Sequence, residues 1–196
     1  APLALMAYTD IRLNQLLKNY IDGIPLDLAA KLLPFKSNFN SGIFLHLKLH
    51  SKIQAKYANR TVNSKLKGRT FGKTAMLGLL DNLENSIRKL DLSTNCEIGW
   101  KNYSIADSYS ETAGEDKKKF IIECLNRISP APRMVWDIGA NKGDYSRITS
   151  QRNIYTVSLD IDPMCVELNY RKIKQLNEKN ILPLIMDLTN PNPAVG

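Results

Sequence analysis

Hydrophobic and polar positions along this chain follow two different periods, and the change falls close to residue 129. Before it, apolar residues recur three and four apart, the spacing of a helix that buries one face. Ile11, Leu13, Leu16, Leu17, Tyr20 and Ile21 make one such face. Gly23 and Pro25 interrupt it, and Leu26 to Leu33 predicts a second short helix ended by Pro34. Phe35 to Gly42, rich in Ser and Asn, reads as a loop. From Ile43 to Arg60 the stripe Leu45, Leu49, Ile53 and Tyr57 is expected to pack. A longer helix over Lys73 to Leu90 carries Met76, Leu79, Leu80, Leu83, Ile87 and Leu90 on one side, a stripe expected to be core. Glu111 to Ile128 predicts another, burying Ala113, Phe120, Ile121, Cys124, Leu125 and Ile128.

Ser129-Pro130-Ala131-Pro132-Arg133 then acts as a hinge, and the pattern shortens. Met134–Ile138, Ile154–Asp160 and Ile181–Asp187 are brief apolar or β-branched runs that each meet an acid, the mark of buried strands. Helices expected from about Asp144 and over Met164 to Leu176 connect them, which makes the strands parallel and the crossovers right-handed. The predicted fold is α/β. Residues 1–128 form a mostly helical N-terminal region, and 129–196 form the first three strands of an incomplete Rossmann-like sheet.

Candidate chemistry lies where these strands end. Asp137, Gly139, Asn141 and Gly143 follow the first strand. Glycine there lets backbone approach a ligand, and ligands of such sheets sit at the carboxyl ends of the strands. Asp160 stands 21 positions beyond Gly139, close to the roughly 20 expected of a carboxylate that holds ribose hydroxyls. A dinucleotide site would place a pyrophosphate on the following helix. Here Asn141 replaces a glycine and Asp144 brings a competing negative charge, which favours a ligand without phosphate over NAD.

The pattern Asp137-x-Gly139-x-Asn141-x-Gly143, followed by Asp160 with Asp162-Pro163 and by Asp187, resembles class I S-adenosylmethionine-dependent methyltransferases. Asn141 stands where the usual (D/E)xGxGxG has a glycine, and Asn tolerates left-handed backbone. The resemblance implies S-adenosylmethionine as cofactor and a binding set of Asp137, Gly139, Ala140, Asn141, Gly143, Asp160, Ile161, Asp187 and Leu188. In it Gly139 and Gly143 shape the turn, Asp160 takes the ribose hydroxyls and Asp187 approaches the adenine amine. Thr94, Trp100, Tyr103, Ser108-Tyr109-Ser110, Lys117 and the stretches 136–147 and 181–196 are further similar to the NoeA-related nodulation-protein methyltransferases. That likeness implies that the 94–109 segment and the next helix approach the methionine end.

A full sheet of that family has seven strands in the order 3-2-1-4-5-7-6, as the resemblance implies, whereas this chain reaches the third. The expectation is therefore a fragment of a longer protein, consistent with Ala1 in first place. The outer edge of the first strand should be covered by the helical region, by a second copy or by the remainder of the chain. The methyl acceptor and catalytic residues stay unassigned, and the fragment alone is expected to be inactive. Thr189-Asn190-Pro191-Asn192-Pro193 resembles the N-P-P-Y loop of amino-group methyltransferases but follows the third strand instead of the fourth, so it is read as a turn.

A net charge of +8 admits a basic nucleic-acid-binding module as an alternative. It would use Lys65, Lys67, Arg69 and Gly72-Lys73-Thr74 with Trp100, Tyr103 and Tyr109. That reading is not favoured. Gly72-Lys73-Thr74 copies only the tail of a P-loop, since Lys67 occupies the required glycine position. His46 and His50 lie four apart, but Leu47 stands where a zinc protease has Glu and no third ligand is evident, so no metal is expected. Three scattered cysteines (Cys96, Cys124, Cys165) make no disulfide framework and suit a reducing cytoplasm. The apolar opening 1–7 is too short to span a membrane.

Overall fold

The structure, a computed structural model, describes residues 1–58, 72–92 and 111–191. The chain divides into two units, Ala1–Ser93 and Thr94–Gly196. The helix 111–127 falls with the sheet because its Lys117 and Ile121 line the same cleft as the strand ends.

In the first unit, α1 (Pro2–Tyr8) starts at a proline, whose missing N–H costs nothing at a helix start. Asp10 caps a 3-10 turn (Ile11–Gln15) by accepting the Arg12 amide at 2.8 Å. Next come α2 (Leu16–Asn19) and α3 (Leu26–Leu32), the latter ending just before Pro34. The stretch expected as a loop instead holds a 3-10 turn, Phe35–Phe39. Asn40 then caps α4 (Ser41–Ile43), which runs through a π-helical segment (Phe44–Leu49) into α5 (His50–Tyr57). The core is Ala4, Leu5, Ile24, Ala29, Leu33, Ile43 and Leu47.

Two expected stripes do not pack as predicted. Leu45, Ile53 and Tyr57 are exposed, and Ile43, Leu47 and Ser51 face inward instead. Both sets repeat every four residues, so periodicity cannot choose between them; packing against α3 decides. In α6 (Lys73–Arg88) no residue is buried, and Met76, Leu79, Leu80, Leu83 and Ile87 all stay exposed. This helix touches its unit along a polar seam. His46 Nε2 lies 2.7 Å from Asn82 Oδ1, and Gly42 meets Ser86 so closely that a Cβ at 42 would stand 2.5 Å from Ser86 Cβ. That close approach turns the seam inward, leaving only Leu90 to reach the core.

In the second unit, α7 (Glu111–Arg127) precedes β1 (Met134–Ile138), α8 (Ser146–Ser150), β2 (Tyr155–Asp160), α9 (Pro163–Leu176) and β3 (Ile181–Ile185). The three strands are parallel in the order β1-β2-β3, with Asp137 beside Ser158 and Asp160 beside Ile185. This agrees with the first three strands of a Rossmann-like sheet. Strand alternation gives the sheet two unlike faces. Thr156 and Ser158 point toward the helices, where Thr149 Oγ1 meets Thr156 Oγ1 at 2.6 Å and Asn169 Nδ2 donates to Ser158 Oγ at 2.9 Å. On the other face Met134, Trp136, Ile138, Leu182 and Leu184 are exposed, Trp136 by 62%. Among the described residues no strand pairs with the outer edge of β1.

Asp162 caps α9 through the Met164 amide at 2.8 Å, Pro163 opens it, and left-handed Asn177 closes it. Helix α8 starts at Ser146, later than expected, and is only five residues long. Positive φ at Gly139, Asn141 and Gly143 uncoils the chain through residue 145 before a helix can begin.

Candidate functional site

The end of β1 is tied across the end of β2. The Gly139 and Ala140 amides both donate to the Leu159 carbonyl, at 2.9 and 3.0 Å. Asp160 completes the tie with its side chain: Oδ2 accepts the Asn141 amide at 2.7 Å and Oδ1 the Asp162 amide at 2.9 Å. One carboxylate thus holds both turns that follow the strands. At the third strand, Asp187 Oδ1 accepts from the Thr189 amide (2.9 Å) and hydroxyl (2.7 Å) and from the Asn190 amide (3.3 Å). This turn chemistry stops β3 at Ile185, two residues short of the acid.

Together these ends enclose a cleft of about 770 Å³, within the range of small-molecule and cofactor sites. Eight of the nine expected residues line it: Asp137, Gly139, Ala140, Asn141, Asp160, Ile161, Asp187 and Leu188. Gly139, at φ +74°, has open space where a Cβ would stand, so bare backbone faces the cleft. Gly143 does not line it. At φ +76° it faces Asn169, whose amide atoms lie 2.5 Å from where its Cβ would be. Its work is close packing of the turn on α9.

The cleft also gathers residues outside that set, among them Lys117, Ile121, Asp144, Tyr145 and Met186. The Lys117 ammonium sits 4.5 Å above the Tyr145 ring centroid, a cation–π distance. Lys117 and Ile121 are four apart on α7, a spacing that marks one helical face. Tyr145 and Asp144 were expected inside a helix. The Gly-x-Asn-x-Gly spacing is the signal that the turn runs longer and carries them to the cleft. Asp144 pairs with Lys172 at 3.2 Å.

Burial pushes the Asp137 carboxyl above its ordinary range, against the Ser146 hydroxyl, which donates to it at 2.6 Å, and the nearby Lys117 charge. A raised carboxyl value means the folded state holds the proton more tightly than the unfolded one. Stability should therefore fall as pH rises from the ordinary aspartate value through the raised one, then level off. Urea unfolding of wild type and Asp137→Asn across the acid range should show this slope only in the wild type. Parallel curves would contradict it.

Behind the cleft, Arg147 is buried and donates through Nη1 to the Lys142 and Gly143 carbonyls at 2.8 and 2.9 Å. Its Nη2 lies 3.0 Å from Glu178 Oε2, an ion pair whose angle does not make a directed hydrogen bond. Burial and the carboxylates of Asp162 and Asp160 push the Cys165 thiol up to about 12, leaving it chemically quiet.

Other expected features lie elsewhere. His46 bonds Asn82, His50 is exposed, and among the described residues no three His, Cys, Asp or Glu side chains are placed to hold a metal. Gly72-Lys73-Thr74 opens α6 in the first unit. Lys65, Lys67, Arg69, Cys96, Trp100, Tyr103 and Tyr109 lie outside the described residues. No helix among the described residues is long and apolar enough to cross a membrane.

No family model matches the chain. Nodulation protein NoeA of Rhizobium meliloti (strain 1021) is similar to it, with 27% identity over 201 aligned residues. The similarity extends over 100% of this chain and 41% of that protein, so the chain spans about two fifths of the length of the curated relative it matches.

Proposed function

We propose that the cleft binds S-adenosylmethionine and that the chain carries the cofactor half of a methyltransferase. One observation carries this reading: residues from three separate strand ends line one cleft at the carboxyl edge of a parallel sheet, with the Asp160 carboxylate among them. The residues fit the group. Asp160 accepts ribose hydroxyls, Ile161, Met186 and Leu188 offer apolar contact to the base, Asp187 accepts from the adenine amine, and the Gly139 backbone admits the chain that links ribose to sulfur. When bound, the cofactor supplies an electrophilic methyl group on a sulfonium. The protein's own part is to bind, orient and shield it, and such positioning is the main source of rate in group transfer. Asp144 at the cleft and a following helix of only five residues speak against a pyrophosphate, and so against NAD. The free Cys124 and Cys165 are consistent with a reducing, cytoplasmic setting.

Calorimetric titration of the 196-residue chain with S-adenosylhomocysteine tests the reading. We expect binding in the micromolar range and a loss of roughly tenfold or more in Asp160→Asn, which removes the charge and one of the two acceptors that hold the neighbouring turns. Absence of binding by a chain shown to be folded by circular dichroism would overturn the assignment.

A further inference from the structure

The first unit contains a long stretch without an acid. Between Asp27 and Asp81 lie ten Lys and Arg and no Asp or Glu, more positive charge than the +8 of the whole chain. The described part of that stretch also turns apolar side chains to solvent. Phe35 and Phe39 are 77% and 83% exposed, and their rings meet edge to face at 6.0 Å, with exposed Lys36 on the same turn. The backbone that carries them is firmly held. Ser37 is fully buried and donates to the Pro34 carbonyl at 2.6 Å. Asn40 donates to the Tyr8 hydroxyl at 3.2 Å and accepts the Ile43 amide at 3.1 Å. Polar groups thus point inward here and two large rings outward, the reverse of the usual burial.

Lys48 Nζ reaches the Pro34 carbonyl at 3.4 Å, which joins this turn to the helical run that follows. Along that run Ile43, Leu47 and Ser51 face inward. Lys52 and Lys56 continue from Lys48 in steps of four, and exposed Leu45, Ile53 and Tyr57 alternate with them on the outer side. The Lys56 ammonium lies 5.8 Å from the Tyr57 ring centroid, so charge and apolar surface are interleaved.

We propose that this face docks on an anionic lipid surface, with Phe35 and Phe39 entering the headgroup boundary and the lysines paired with lipid phosphates. Lysines beside outward apolar residues are the pattern of elements that lie in a membrane interface. Each Lys close to an anionic leaflet strengthens the attraction about fivefold. Two other occupants match the face less well. A second copy would bring the same acid-free surface against itself and set like charge on like. A nucleic acid would meet the lysines but gain little from Leu45 and Ile53, because its interfaces are polar.

Sedimentation of the 196-residue chain with lipid vesicles tests the proposal. Phosphatidylcholine vesicles containing phosphatidylglycerol should carry the chain down. Phosphatidylcholine alone should bind at least about tenfold less, and added salt should weaken the anionic binding. Phe35→Ser with Phe39→Ser should lose about tenfold through the missing apolar contact. Lys36→Gln with Lys52→Gln should lose about twentyfold, and Lys36→Arg with Lys52→Arg should retain the binding. All four positions are exposed, and circular dichroism checks that each variant keeps the fold. Folded wild type that stays in the supernatant, or a phenylalanine variant that sediments like wild type, overturns the proposal. Tighter binding to a single-stranded oligonucleotide, lost in that same variant, would assign the face to nucleic acid instead. A dimer seen by light scattering and abolished by the phenylalanine changes would assign it to a second copy.

Discussion

Gly143→Ala is expected to destabilise the sheet unit by about 3 kcal/mol, from two penalties that act together. The backbone at Gly143 is left-handed, at φ +76°, which costs a residue with a Cβ about 1–2 kcal/mol. The added carbon would also lie 2.5 Å from both Nδ2 and Oδ1 of Asn169. That amide cannot swing aside cheaply. It is buried, and its Nδ2 donates to Ser158 Oγ at 2.9 Å inside the helix-covered face of the sheet. Overpacking of this kind adds about 1–3 kcal/mol. Urea unfolding measures the sum. In Gly143→Ala with Asn169→Ala the collision disappears while the dihedral penalty stays, so the double variant should cost less than the two singles added. A single-variant loss below about 1 kcal/mol would show that the turn relaxes freely.

Glu178→Ala should cost about 3 kcal/mol, at the lower end of what breaking a buried ion pair costs. The Arg147 side chain is 9% exposed and that of Glu178 17%, so the guanidinium left behind keeps two carbonyl partners but loses its countercharge. Replacing both residues, Arg147→Met with Glu178→Gln, should recover part of that loss, because no uncompensated charge remains and the methionine retains the apolar stem. The effect of Glu178→Ala should change little with added salt, since buried pairs are poorly screened. Arg147 also holds the carbonyls of Lys142 and Gly143. Its loss should therefore loosen the turn beside the cleft and weaken ligand binding in parallel with stability. A salt-sensitive loss, or one under 1 kcal/mol, would place the pair in solvent.

Where local chemistry alone decides, the sequence was legible. Strand β1 has the bounds its apolar run predicts, and α9 is bracketed by a capping acid with a proline and by an asparagine suited to left-handed backbone. Where tertiary contact decides, it was not. Leu45, Leu49, Ile53 and Tyr57 repeat as regularly as Ile43, Leu47 and Ser51, and only the position of α3 selects the second set. The α6 stripe shows a helix that wants cover, and the Gly42–Ser86 approach shows that its own unit covers a different side. At the site, the strand-end rule brings eight expected residues to one cleft, while Gly143 is taken up by Asn169. Lys117 and Tyr145 meet only because a helix distant in sequence comes to rest over the turn, and no spacing encodes that.

The double duty of Asp160 bears on how such a site can change over generations. Its two oxygens secure the backbone of both neighbouring turns, so a substitution there disturbs the loops before it alters any preference among ligands. Variation at this position is closed off by architecture. The freedom to drift toward a new nucleoside lies with the side chains of Ile161, Met186 and Leu188, which border the same space without tying one loop to another. Libraries aimed at altered recognition should therefore leave the acid in place and randomise its apolar neighbours.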